Sequence, residues 1–488
     1  MVRSIQLDKD YIQREKNYWR IPGLAVVLIQ PGQEDQILCL GYRDVENKLP
    51  VDEDTQFCIA SCSKSMTAAL VAKLVDLDQL SFDKPIKDMV PDLMMKDKTA
   101  NDEMTIRDML CHRTGLGGHD ALWPGSITRK ELAQRLRYLE PNLPFRQKAQ
   151  YSNLIYALAG YVTEAVSGES WDVLLRNYLL APLKMERTTC TAQEILSDDN
   201  HAVPYKFVGS TLTRLPFWNV DLAGPAASVN STPKDMAKWL HFHIDGGKGP
   251  SGEVLISEKN FRQMHEKQMD YVDSAGLAED CYPGKGYCMG WQCGDYRGHR
   301  FQKHSGKIEG YSTLQVYLPD DQIGVAILMN LHSPSTPVFY TMLYRILDRA
   351  LGYPDAHWEK RFRDQQEEAP IERYDDCEED LTTGYLSNDA KGELSEHPFG
   401  DYVGEYFEPG YGTVTIEMRN GQLYLQYRDQ TLPLHHWGRS SFWLDGVKED
   451  ILTMKVPVNG QDDKDGNIDG VSIRYEPMVA PILFRKRN

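Results

Sequence analysis

The feature that most constrains the fold is a change of hydrophobic period along the first two thirds of the chain. Apolar runs over 23–29 and 36–42, split by Pro31-Gly32, read as a strand hairpin. Runs over 311–318 and 323–330, split by Pro319-Asp320-Asp321-Gln322, read as a second hairpin. Between them the period is helical. Met66, Leu70, Val71, Leu74 and Val75 share one face of a helix over 61–77, and similar spacing recurs over 105–111, 129–138, 153–166, 171–180 and 233–243. One helix ending near Trp19 precedes the first hairpin; another, over 337–351, follows the second. Strands at both ends and helices between predict an α+β fold: an antiparallel sheet flanked by helices, closed by pairing the two ends, with a helical lobe inserted.

Composition then marks where this unit stops. The stretch 361–396 is rich in Asp, Glu, Gln and Ser, includes Asp375-Asp376-Cys377-Glu378-Glu379-Asp380, and reads as an acidic linker. After it, short alternating runs return over 412–419 and 422–427, around Asn420-Gly421, and over 441–444, 451–458, 470–475 and 481–487. Asn-Gly between alternating runs is a strong hairpin signal, so a small all-β barrel or sandwich is expected. The expected division is 1–360, a linker 361–396, and a β domain over 397–488.

Charge and cysteine usage exclude several function classes. With 54 Lys plus Arg against 71 Asp plus Glu, the net charge is −17, and no basic run appears; nucleic acid is not an expected partner. No stretch approaches the ~20 apolar residues of a membrane span, and residues 1–19 lack the apolar core of an export signal. Nine scattered cysteines, an odd number, read as reduced thiols in a cytoplasmic setting.

Three Ser-x-x-Lys tetrads begin at residues 61, 81 and 231. Ser231-Thr232-Pro233 opens a helix, where it serves as a cap, with Asp235 completing a possible capping box with Thr232. Ser81 lies in a turn before Pro85. Ser61 stands at the start of a long apolar helix, which places its hydroxyl and its backbone N–H at the positive helix end, a ready oxyanion donor. Lys64 is one turn on, and when desolvated its neutral amine accepts the serine proton. Tyr151-Ser152-Asn153 precedes the helix near Leu154: a tyrosine there shuttles a proton if cations lower its pKa, and Asn153 can hydrogen-bond both a lysine and a substrate amide. His304-Ser305-Gly306 lies on or beside the last-but-two strand, where the small residue lets a substrate backbone approach and the following N–H, of Lys307, is a second oxyanion donor. Each element alone also fits a cap or a packed aromatic.

Together, in this order, the motifs resemble the serine β-lactamase/penicillin-binding-protein-like hydrolases, specifically the class C-type branch of esterases, D-amino-acid peptidases and transacylases. The resemblance spans about residues 15–355 and includes Thr105-Ile106-Arg107-Asp108-Met109-Leu110 and Ala181-Pro182-Leu183. Residues 398–488 resemble a lipocalin-like β domain, chiefly through Tyr402-Val403-Gly404-Glu405-Tyr406. The resemblance implies Ser61, Lys64, Tyr151 and His304 as catalytic residues, and Asn153, Ser305, Gly306 and Lys307 as substrate and oxyanion contacts, with His304 supporting Tyr151. It implies an acyl-enzyme on small esters or short peptide amides, no cofactor and no metal, and a homo-oligomer is compatible with it. Position 304 is His where the lactamases usually carry Lys, which favours esters or short peptides over carboxylate-bearing substrates. Acyl transfer on the same fold, and a catalytically weak binding scaffold, are the alternatives. Cys281, Cys288 and Cys293 with His299 and His304 fit no common zinc spacing, and 461–472 lacks the ligands of a calcium loop.

Overall fold

The computed structural model describes residues 2–123, 127–271, 286–332, 337–368, 385–428, 430–445, 455–476 and 479–487. Eight strands form one antiparallel sheet: β1 Gly23–Ile29, β2 Gln36–Asp44, β3 Leu49–Pro50, β4 Gly286–Tyr287, β5 Gln292–Tyr296, β6 His299–Ile308, β7 Tyr311–Leu318 and β8 Ile323–Met329. Their order is β3-β2-β1-β8-β7-β6-β5-β4. The two expected hairpins meet along β1 and β8, in a register running from Leu24 opposite Met329 to Ile29 opposite Gly324. The ends of the unit therefore close the sheet, as the pattern predicted.

Strand β1 is buried along its whole length because both faces are covered. Ala25, Val27 and Ile29 face the helical lobe; Leu24, Val26 and Leu28 face a second core with the terminal helices α1 (Lys9–Tyr18), α6 (Pro337–Leu351) and α7 (Trp358–Glu368). The lobe is built on α2 (Ser63–Asp76) and α3 (Asn153–Ser167), with α4 (Pro233–Ile244) against the sheet and α5 (Glu258–His265) beside α2. Helix α2 is buried on all sides through Ala72, so its hydroxyls must find partners inside the protein. They do: Ser65 Oγ donates to Cys62 O at 2.8 Å and Thr67 Oγ1 to Pro225 O at 2.7 Å. Gly160, in mid-α3, has no room for a side chain, since a Cβ there would stand 2.1 Å from Pro225 Cγ.

The linker reading needs a correction. Residues 361–368 continue helix α7, because Trp358 and Phe362, one turn apart, bury one face of an otherwise charged segment. Residues 369–384, with Cys377 and the acidic run, lie outside the described residues. Beyond them nine antiparallel strands curl nearly into a closed barrel: β9 Gly404–Glu408, β10 Gly412–Arg419, β11 Gln422–Tyr427, β12 Gln430–Pro433, β13 His435–Gly438, β14 Ser441–Asp445, β15 Lys455–Asp462, β16 Ile468–Ile473 and β17 Ile482–Lys486. The order is β12-β11-β10-β9-β17-β16-β15-β14-β13. Asn420 and Gly421 both have positive φ, 53° and 82°, as a two-residue hairpin turn demands. The barrel docks on the lobe: Arg135 Nη1 donates to Tyr411 O at 3.4 Å, Arg428 Nη1 to Leu122 O at 2.8 Å, and one apolar core runs through both units. Among the described residues no helix is long and apolar enough to cross a membrane.

Candidate active site

Ser61 sits in a 3-10 turn, Ala60–Cys62, immediately before α2, so the helix proper starts two residues later than the sequence suggested. The turn is held from three sides. Ile59 N donates to Val229 O at 2.9 Å, Ser63 Oγ to Ala60 O at 2.6 Å, and Cys62 Sγ to His304 O at 3.3 Å. Ala60 adopts φ +46°, a left-handed conformation that costs a non-glycine residue roughly 1 kcal/mol or more and persists only where the surroundings impose it. Gly306 on β6 lies against this turn. A Cβ there would stand 2.1 Å from Ile59 O and 3.0 Å from Ser61 N, so the missing side chain admits the protein's own turn, where the sequence reading had expected a substrate backbone. Pairing of β6 with β5 ends at Lys303 opposite Gln292, and the stretch from His304 to Ile308 runs on beside Ser61 while remaining paired to β7. Ser305 is half-buried and Lys307 exposed.

Lys64 is fully buried. Its Nζ lies 3.0 Å from Ser61 Oγ, 2.6 Å from Asn153 Oδ1 and 3.1 Å from Ala226 O. Burial pushes its ammonium down to about 7, against the opposing pull of Asp120 and Cys62. A neutral amine has two N–H donors and one lone pair. The asparagine and backbone oxygens take the donors, which leaves the lone pair for the serine hydroxyl.

Tyr151 is hydrogen-bonded to Ser61, and its ring lies 4.6 Å from Lys64 Nζ. The expectation of a tyrosine lowered by cations is not met: burial raises it well above 10, and the Ser61 bond opposes that only in part. His304 lies beside Tyr151 and reaches a second tyrosine. Its Nε2 lies 2.9 Å from the hydroxyl of Tyr287, and its ring centroid is 6.3 Å from that of Tyr151. The same Tyr287 hydroxyl is 3.2 Å from His112 Nε2, and the His112 ring stacks at 4.4 Å on Tyr151. Neither Tyr287 nor His112 carried a chemical motif in the sequence.

The wall opposite was also unforeseen. Asn153 hydrogen-bonds Asp120, which follows His119 in its left-handed conformation, φ +49°. Asp120 Oδ1 is buried without a partner, while His119 pairs through Nδ1 at 2.7 Å with Tyr411 Oη of the barrel and also reaches the Glu140 backbone. Glu476, also from the barrel, accepts from the Asp120 backbone N–H, and its Oε2 occupies the space a Cβ on Gly118 would need, 2.6 Å away. Burial lifts the Asp120 carboxyl to about 6, against Lys64 and the Asn153 bond. Burial, and after it the Asp120 charge, lifts Glu476 to about 8.

The other sequence candidates lie elsewhere. Ser231 Oγ pairs with Thr188 Oγ1 at 2.8 Å; Thr232 caps α4, accepting from Asp235 N at 3.1 Å, while the Asp235 carboxylate goes to Arg187 N and Thr188, so the capping box is only half made. Ser81 Oγ accepts from Asp83 N. His299 pairs with Asp321 at 2.8 Å, Cys281 lies outside the described residues, and among the described residues no group of three or more His, Cys, Asp or Glu is arranged to hold a metal.

Two family models match the chain. Beta-lactamase covers residues 12–347, and Domain of unknown function (DUF3471) covers 388–486. The chain is 25% identical over 456 residues to Unguisins hydrolase ungD' of Aspergillus campestris, covering 88% of this chain and 81% of that protein. It is 25% identical over 331 residues to Penicillin-binding protein 4 of Amycolatopsis lactamdurans, covering 67% and 85%. Among solved structures it resembles the octameric penicillin-binding protein homologue from Pyrococcus abyssi, with TM-score 0.60, 20% identity and 98% and 99% of the two chains covered. It also resembles the D-amino acid amidase from Ochrobactrum anthropi SV3, with TM-score 0.56, 23% identity, and 73% and 99% covered.

Proposed function

Since the chain belongs to the beta-lactamase family of serine hydrolases, we propose that it cleaves small esters or short peptide amides through an acyl-enzyme on Ser61. The observation that carries this reading is the buried Lys64 amine, 3.0 Å from Ser61 Oγ with its two donors engaged by oxygen acceptors. Ser61 Oγ attacks the carbonyl carbon and its proton passes to Lys64 Nζ. The negative oxygen of the tetrahedral adduct is held by the N–H groups of Ser61 and Lys307, which flank the Gly306 contact. Collapse breaks the ester or amide bond, and the leaving oxygen or nitrogen takes its proton from the Lys64–Tyr151 pair. Tyr151 stays a phenol through the cycle, because burial holds its proton, and works as a donor. Water, deprotonated by Lys64, then attacks the acyl carbon; the bond from that carbon to Ser61 Oγ breaks, and the proton held by Lys64 passes to Oγ.

The substrate class draws support from relatives named for unguisins and for a D-amino acid amide activity. The test is covalent labelling with a fluorophosphonate followed by intact mass and peptide mapping. One adduct on Ser61, absent in Ser61→Ala and unchanged in Ser81→Ala and Ser231→Ala, is the expected result. An adduct on Ser81 or Ser231 overturns it.

A further inference from the structure

The ring of His304 belongs to a run of hydrogen bonds that is anchored at two backbone groups, and those anchors set the state of Nδ1 on each of its two imidazoles. At one end the N–H of Ser152 donates to His112 Nδ1 at 3.1 Å. A ring nitrogen that accepts carries no proton, so neutral His112 has its proton on Nε2. Burial, the largest cause, reinforced by Lys64, keeps that ring neutral by pushing its pKa well below 6.5. The Nε2–H donates to Tyr287 Oη, 3.2 Å away, and burial keeps the Tyr287 phenol protonated. That hydroxyl has its own proton left for His304 Nε2 at 2.9 Å. At the other end His304 Nδ1 lies 2.7 Å from the Ser305 carbonyl oxygen, which only accepts, so Nδ1 holds the proton of the ring.

We propose that His112 and Tyr287 are positioning residues that hold His304 as the neutral, Nδ1-protonated imidazole, so that the ring beside Tyr151 brings no positive charge to the Ser61 pocket. The proposal rests on the reading of Ser61 as the nucleophile and deepens it. Position 304 then offers nothing to a substrate carboxylate, and the pocket favours neutral esters and amides. All three side chains are buried, so water does not exchange for any of these bonds at low cost. The competing acceptor is Tyr156, which is within hydrogen-bond reach of the Tyr287 hydroxyl, packs its ring 5.0 Å from that of His112, and gives its own proton to Leu110 O at 2.6 Å. Were Tyr287 to donate there, His304 Nε2 would need a second proton and the ring would be a cation. The groups around the relay oppose that: Lys64 lies over the Tyr151 ring, and burial keeps the Tyr151 and Tyr156 phenols protonated. Among the described residues the carboxyl that acts on Tyr151 is Asp120 of the far wall, which acts on Lys64 as well.

Imidazole nitrogen NMR on the full chain, labelled with 15N-histidine and assigned through His304→Gln, reads the proton directly. The expected spectrum has one protonated nitrogen, Nδ1, with no titration between pH 8 and pH 5.5. In Tyr287→Phe the His304 resonance should titrate near the ordinary ~6.5 and show the Nε2–H tautomer as well. The ratio of KM for a carboxylate-bearing ester to that for a neutral ester should then fall about fivefold from pH 8 to pH 6 in the variant and stay flat in the parent, the size expected of one partly solvated ion pair. An imidazolium in the parent at pH 7 to 8, or an unchanged His304 tautomer in folded Tyr287→Phe, overturns the proposal. The parent spectrum decides it even if Tyr287→Phe does not fold. Loss of Ser61 labelling with the expected tautomer would instead overturn the reading of the nucleophile and leave the relay standing.

Discussion

The two walls of the site meet at Asn153, and they are built on opposite principles. On the Ser61 side the groups around the nucleophile have complementary partners: Lys64 has three oxygens, Ser63 and Ser65 have backbone carbonyls, and Cys62 ties the turn to β6. On the far side, two carboxyl groups and a histidine are buried together, with Asp120 Oδ1 unsatisfied and Glu476 supplied by the barrel. The first wall lowers the proton affinity of a base. The second raises the proton affinity of two acids. One asparagine connects them, giving its oxygen to Lys64 and its hydrogen bond to Asp120. A base near neutrality and acids near neutrality are thus set within one short polar chain, and the barrel docks onto its acidic end.

The largest effect should come from breaking the basic wall. Lys64→Arg keeps a positive charge but cannot lose its proton, so esterase turnover should fall by about 10²–10⁴, as far as in Lys64→Ala. In the parent, kcat/KM should rise with pH through an apparent pKa near 7, because burial depresses Lys64 and only its neutral form accepts the serine proton. Asp120→Asn removes the charge that opposes this depression, so the same limb should move to lower pH. A limb that stays in place in Asp120→Asn would mean the two walls are electrically independent.

Gly306→Ala probes the geometry of the same wall without touching a titrating group. The added methyl must displace backbone, Ile59 O at 2.1 Å and Ser61 N at 3.0 Å, and neither end of the contact is a flexible side chain. A shift of the order of 1 Å in a nucleophile costs about 10²-fold in rate, so labelling of Ser61 should slow by about that factor while Lys64 keeps its pH limb. Labelling at the parental rate would show that the turn carrying Ala60 at φ +46° has slack that the packing does not suggest.

The basic wall was legible in the sequence, and the acidic one was not, for a physical reason. Ser61 and Lys64 are one helical turn apart, so their meeting follows from local geometry; Tyr151 and Asn153 stand at the mouth of a helix whose apolar period is plain. Glu476 reaches Asp120 across 356 residues, and no spacing rule links them. Tyr287 and His112 join His304 only because β4 and the loop after residue 110 pack on one side of β6. The same distinction runs through the fold. Strands β1 and β8 are buried on both faces and read as continuous apolar runs, whereas β6 buries Lys303 and His304 within a polar-looking segment whose bounds the pattern marks only approximately. Helix α7 was hidden by charge, since Trp358 and Phe362 alone carry its apolar face.

The smallest effect, and the one that tests the acidic wall on its own, is a change in the pH dependence of stability in Glu476→Gln. The amide oxygen still accepts the backbone N–H of Asp120, so the shape of the contact is kept while the titrating group is lost. In the folded protein Glu476 is raised to about 8 from an ordinary 4.5. Below 4.5 both folded and unfolded chains are protonated and the group costs nothing. As pH rises from 4.5 to 8 the unfolded chain releases a proton that the folded one retains, so the parent loses stability across that window. Glu476→Gln does not titrate, and Asp120 and Lys64 are common to both proteins. Melting temperatures should therefore coincide near pH 4.5 and diverge by pH 8, with the variant the more stable, on a scale of about 1 °C for each kcal/mol in a chain of this length. Parallel melting profiles would mean that Glu476 is ionised in the folded state, and that the barrel holds its place on the lobe against no electrostatic cost.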